Sequence, residues 1–243
     1  MLLEVVAFNL PSAIKAAEAG AHRIEICDNY HEGGTTPSAG IVEALRKKIQ
    51  LPLVAMVRPR GGDFLYDKED VNSMKRDILD FKEIGCDGIV VGCLNADATI
   101  DKNLLQEFLT LAGPMDVHFN RAFDRVKDQL VALETLIDIG CKRVLTSGGH
   151  MFAVDGVQKL KELVTAANDR ITIIAGGGVN SAAFPFLFET GAKEFHTPAR
   201  KMEQGGMEWT NSNMKEDLEY PVADVEEIGK MLESLQTRRN DKQ

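Results

Sequence analysis

Four segments of the chain share one phrase: EAGAHRIEI, EIGCDGIVV, DIGCKRVLT and ETGAKEFHT. Each runs from the end of an amphipathic stretch through a glycine and one or two small or polar residues into a short apolar run. Glycine suits the left-handed C-cap that stops a helix. A helix that stops and feeds a strand, again and again at intervals of roughly 20–35 residues, is a supersecondary repeat. Strands separated by helices pair in parallel through right-handed crossovers.

Eight apolar runs fill the strand role: Leu2–Phe8, Arg23–Cys27, Leu53–Val57, Gly88–Gly92, Val117–Asn120, Arg143–Leu145, Ile171–Ala175 and Glu194–His196. Helical patterns separate them, with start signals at Ser12, Pro37-Ser38 and Asp67. Eight such units in 243 residues predict one α/β domain over 1–243, a (β/α)8 TIM barrel. A doubly wound sheet is the alternative, but strand 1 is followed by AFNLPS, which lacks the glycines of a phosphate fingerprint. An irregular segment, 198–220, follows the eighth strand; a last helix is expected at Val222–Leu235, and the tail 236–243 is expected to fray.

Composition narrows the function classes. Lys plus Arg is 28 and Asp plus Glu 37, a net charge of −9. That balance argues against nucleic acid and anionic lipid as partners. No apolar run reaches the ~18 residues of a membrane span. Glu4 interrupts the only N-terminal run a signal peptide would use. A soluble cytoplasmic protein is expected. The four cysteines, Cys27, Cys86, Cys93 and Cys141, form no CxxC pair. A structural zinc site is therefore not indicated.

In a barrel, sites form where strands end. Polar residues gather there in this chain. Glu4 breaks strand 1. On strand 2, Glu25 and Cys27 share a face opposite Ile24 and Ile26, which fit the helix side. Met56, Arg58 and Arg60 share a face of strand 3 and its extension, before Asp63 in RPRGGDF. His118 and Asn120 share a face of strand 5, with Arg121 and Asp124 beyond. Thr146 and Ser147 end strand 6, Gly176, Gly177 and Gly178 end strand 7, and His196 lies on strand 8.

The arginines and the glycine run predict a small anion at this rim, with a phosphate on the amides that open the helix after Gly178. Glu25, His118, Asp124 and His196 are the candidate acid–base residues. No lysine stands at a strand's C-terminal end, and no HExxH occurs, so Schiff-base and zinc-hydrolase templates do not apply. Cys86 and Cys141 sit at strand entries and are expected to pack; Cys93 ends strand 4 and is a possible site residue. Cys27 points inward beside Glu25. A soft thiolate there favours Cu(I).

At RIEICDNYHEGGTTPSAG, VRPRGGDFLY, HFNRAFD, RVLTSGG, AGGGV and EFHTPAR the sequence resembles the CutC family of copper homeostasis proteins, from Glu4 to about Arg200. The resemblance implies a TIM barrel, a cytosolic homodimer, and copper, Cu(I), held at Cys27. It places no second cysteine ligand, since Thr197 stands where many members carry Cys or Ser. It also implies a histidine at position 120, where this chain has Asn120. His118, two residues earlier on the same face, is the candidate replacement.

Overall fold

The computed structural model describes residues 1–215 and 217–240. Eight parallel strands close into a barrel in sequence order. They are β1 (Leu2–Ala7), β2 (Arg23–Ile26), β3 (Leu53–Met56), β4 (Gly88–Val91), β5 (Asp116–Phe119), β6 (Arg143–Thr146), β7 (Thr172–Gly176) and β8 (Glu194–Thr197). β8 pairs back onto β1, with Glu4 beside His196. Helices α1 (Leu10–Glu18), α2 (Ala39–Arg46), α3 (Lys68–Ile84), α4 (Lys102–Ala112), α5 (Gln129–Ile139), α6 (Val157–Ala167) and α7 (Phe184–Leu187) cross between them. The fold is the expected TIM barrel.

The repeated phrase works as its chemistry demands. Gly20, Gly85, Gly140 and Gly191 all lie in the left-handed region, at φ +98°, +88°, +95° and +81°. Helix starts are capped by side-chain oxygens, Asp67, Asp101 and Asp128 among them. The first helix begins earlier than Ser12, because Asn9 caps it and accepts from the Ser12 amide.

The outward strand faces bury Leu3, Ile24, Ile26 and Ile89 against Phe81 of α3, Phe108 of α4 and Leu133 of α5. At about 25 cal/mol per Å2 of apolar area buried, this jacket between strands and helices is the main stabilising layer. The barrel interior is built differently. Its strand-entry half holds ions: Arg23 donates to Glu4 (2.5 Å) and Glu194 (2.6 Å), and Arg143 to Glu194 (3.1 Å) and Asp116 (2.6 Å). Its other half holds a small apolar cluster of Val6, Cys27, Val54, Met56 and Val90.

The segment 198–220 is not wholly irregular. β9 (Arg200–Gln204) and β10 (Glu219–Ala223) form an antiparallel pair. Pro221 obscured the second strand; a proline is tolerated on such an edge, and its carbonyl accepts from Asn9 at 2.7 Å. Val222 and Ala223 are buried, where β10 packs on α1. The last helix, α8 (Val225–Asn240), starts later and runs further than expected. Residues 236–240 are helical rather than frayed, with Arg238 over the Phe188 ring at 5.6 Å. The rest of the expected tail, 241–243, lies outside the described residues.

Candidate functional site

A cavity of about 230 Å3 opens at the C-terminal ends of the strands. Glu25, Cys27, Met56, Asn120, Leu145 and His196 line it from the barrel; Phe8, Tyr30, Arg58, Phe64, Pro198 and Arg200 line it from the loops. The volume suits an ion or a very small molecule better than a drug-sized ligand.

Three elements assemble the polar wall. The alternation of β2 turns Glu25 and Cys27 inward, as expected, and each is 2% exposed. β8 brings His196 alongside. Its Nδ1 lies 2.8 Å from Glu4 and 3.2 Å from Glu25. The Cys27 thiol donates to Glu25 at 3.4 Å. Ligand atoms of Glu4, Glu25 and His196 all lie within 4.8 Å of one another. Sequence parity alone foreshadowed this convergence only in part, because it gives the face and not the depth.

The electrostatics follow from this packing. Burial works to raise Glu4, but Arg23 and His196 outweigh it and hold the carboxyl well below the usual range. Glu25 has no guanidinium in contact; burial and the neighbouring Glu4 overcome His196 and push it up to about 7. His196 is raised: burial opposes its charge, but Glu25 and Glu4 together favour it. Burial and then Glu25 push the Cys27 thiol far up. The wall thus presents one labile carboxyl, an imidazole and a protonated thiol, with the firm carboxylate of Glu4 buried against the imidazole.

Several expected residues serve the scaffold instead. Arg60 donates to Asp70 (2.9 Å), Asp63 (3.1 Å) and the Leu65 carbonyl. Neither Arg60 nor Asp63 lines the cavity. Arg58 does, but its terminal nitrogens donate to the carbonyls of Glu32, Gly34 and Gly62. It staples the loops after β2 and β3, with Phe64 stacked at 4.8 Å. Asp124 accepts from Arg121, Thr146 and the amides of Ser147 and Gly149. Arg121 also donates to Ser147 Oγ and the His150 carbonyl. That network fixes the loop after β6; Arg121 also lines the cavity, and with Arg58 and Asp124 it lines an adjoining one of about 390 Å3.

One amide of the expected helix-terminal phosphate position is taken by a side chain. After Gly178 the chain makes only short helical turns, and the Ser181 amide donates to the carboxylate of Glu227 on α8 at 2.5 Å. Gly177 and Gly178 do line the cavity. His118 lies below it, 2% exposed, and burial drives its imidazole down to about 3. It does not replace the missing residue at 120; the cavity's imidazole is His196. Cys93 faces the helices and donates weakly to the Asp101 carbonyl at 3.7 Å. Cys86 and Cys141 are packed as expected.

Arg200 was missed from residue spacing. It follows β8 closely and stacks over Tyr30 at 5.2 Å and Phe8 at 5.6 Å, closing one side of the mouth. Among the described residues, no helix is long and apolar enough to cross a membrane.

Fold and site together define a single-barrel protein with a buried acid–imidazole–thiol site at its strand ends. The chain belongs to the CutC family, whose model matches residues 1–201. A human relative named copper homeostasis protein cutC homolog is 42% identical over 214 residues, 88% of this chain and 78% of that one. A CutC family protein of Bacteroides fragilis is 40% identical over 243 residues, 96% and 97% of the two chains. The solved CutC structure from Streptococcus agalactiae matches with a TM-score of 0.77 at 33% identity, covering 82% of this chain and 98% of that one. A solved aldolase matches at TM-score 0.63 with 12% identity, a likeness of fold alone.

Proposed function

We propose that this protein serves copper homeostasis by taking Cu(I) as cargo in the barrel mouth, with Cys27 as the anchoring ligand. The carrying observation is the donor set. Cys27, Met56 and His196 offer a thiol, a thioether and an imidazole to one small cavity, and soft donors of these kinds favour Cu(I). The thiol and thioether side chains border a common point: a Cβ built on Gly34 would lie 3.1 Å from Cys27 Sγ and 3.6 Å from Met56 Cε. Glycine keeps that space open.

Binding forms a Cu–S bond and releases the thiol proton. Glu25, hydrogen-bonded to Cys27, is the adjacent acceptor. Glu4, fixed by Arg23, orients His196. In this reading the protein works in the cytoplasm as a homodimer and takes copper rather than a small anion, since the fixed cationic groups are mostly engaged by carbonyls and carboxylates.

The test is an anaerobic Cu(I) titration against a chromogenic chelator. Cys27→Ser should weaken the barrel site by about tenfold or more, the lower end of what loss of even a supporting group costs. Unchanged affinity in Cys27→Ser would count against Cys27 as the anchor.

A further inference from the structure

Arg23 and Arg143 pair with Glu4, Glu194 and Asp116 in the ionic half of the barrel. Glu25 is left out of that pairing. It is buried, and among the described residues its one ionic contact is His196 Nδ1 at 3.2 Å. A carboxylate buried without a cation is costly, so the barrel carries an acidic group in excess beside an imidazole.

The atoms of this group face a common point. Glu4 gives Oε2 to Arg23 and turns Oε1 to His196 Nδ1 at 2.8 Å. Glu25 accepts from the Cys27 thiol on Oε1 and turns Oε2 to the same nitrogen. Each carboxylate thus has one oxygen fixed by a donor and the other aimed at Nδ1. Arg23 and Cys27 stand as the outer partners that orient metal-ligating carboxylates do. The three ligand atoms all lie within 4.8 Å of one another. Tetrahedral zinc with bonds of about 2.0–2.1 Å holds its ligand atoms about 3.3 Å apart, so the two contacts to Nδ1 need to open by only about 0.5 and 0.1 Å.

We propose that Glu4 Oε1, Glu25 Oε2 and His196 Nδ1 form a divalent-cation site of the zinc class. Two carboxylates and an imidazole are zinc donors, and the ion neutralises the surplus acidic group. It takes the place of the Nδ1 proton, which leaves to water with any proton on Glu25. Glu25 and His196 line the cavity, which is the ion's way in. The ligands come from β1, β2 and β8, so no spacing motif marks them. The site uses neither Cys27 nor Met56 as a ligand and does not rest on the copper reading. His196 is common to both donor sets, so the two ions exclude one another there.

The untagged full chain, Glu25→Gln and Cys27→Ser are titrated with Zn2+ by calorimetry and with Cu(I) against the chromogenic chelator. Glutamine keeps the shape of Glu25 and drops an unpaired charge, so the fold is not at risk; urea curves check each variant. The wild type should take one zinc per chain. Zinc affinity should fall at least about tenfold in Glu25→Gln and stay unchanged in Cys27→Ser. No zinc bound by the wild type, or an affinity that survives Glu25→Gln, overturns the site. Zinc lost in Cys27→Ser puts the ion on the thiol and overturns it as well. The copper reading fails separately: Cu(I) affinity unchanged in Cys27→Ser counts against that anchor, while zinc lost only in Glu25→Gln still supports the divalent site.

Discussion

Replacing Arg23 by Met tests whether the ionic half of the barrel holds the site in place. Arg23 is 4% exposed and bridges two buried carboxylates, Glu4 at 2.5 Å and Glu194 at 2.6 Å. Methionine fills much of the volume but removes the charge. Glu194 keeps Arg143 at 3.1 Å, whereas Glu4 keeps only His196 at 2.8 Å. Breaking a buried pair from one side costs about 3–5 kcal/mol, and the surviving Arg143 contact points to the lower end, about 3. For a chain of this size that is a fall in Tm of about 6–12 °C. The pH dependence carries the sign. Glu4 is held below its ordinary 4.5, so its contribution is present above that pH and lost as pH falls. The gap between wild type and Arg23→Met should therefore be full at pH 7 and begin to shrink only below pH 4.5, narrowing progressively as acidification approaches the depressed Glu4 value. Urea and thermal transitions at both pH values measure it. A loss under about 1 kcal/mol at neutral pH, or a gap that widens on acidification, refutes the reasoning. Adding Glu4→Gln should recover part of the loss by removing the stranded charge.

Three further outcomes follow from the site. Glu25 titrates near 7 in the fold against an ordinary 4.5, so the unfolded chain loses its proton first and wild-type stability falls as pH rises between these values. Metal-free Glu25→Gln should thus gain up to about 3 kcal/mol on the wild type at pH 8 and nothing at pH 4, as read from paired urea curves. Gly34→Ala places a Cβ 3.1 Å from Cys27 Sγ at φ +101°; it should lose about 1–3 kcal/mol of stability and bind Cu(I) more weakly in the chelator competition. Glu227→Ala uncaps the Ser181 amide; scanning calorimetry should show a Tm lower by about 2–4 °C, the equivalent of about 1 kcal/mol.

The barrel was legible because its signals are local. A glycine with positive φ after four of the helices and a short apolar run after each of those glycines depend on neighbours only, and all eight strands lie where the runs predicted them. The β9–β10 ladder was not legible, because what stabilises β10 is α1, more than 200 positions away: Pro221 accepts from Asn9. The extra turn of α8 likewise rests on remote partners, Phe188 beneath Arg238 and the Met1 carbonyl beside Arg239.

The site was legible as a set and not as an assignment. Alternation sends Glu25, Cys27, His118, Asn120 and His196 inward, but it says nothing of how deep the cavity reaches. Small residues decide that. A Cβ on Gly92 would stand on Asn120 Oδ1, and one on Gly176 would strike Leu145 Cδ1 at 2.4 Å. These glycines make room for Asn120 and Leu145, which line the cavity with His196, while His118 stays buried. The arginines show the same limit from another side. A guanidinium fork matches an anion, but it matches a set of carbonyl oxygens equally well. Arg58 is surrounded by three such carbonyls because two loops converge on it. Rim cations in a barrel are therefore evidence for a ligand only after the loop carbonyls have been counted. Of the Arg58 nitrogens that count leaves the Nε without a partner, on a cavity wall that Arg58 shares with the Cys27 thiol, the Glu25 carboxyl and the His196 imidazole.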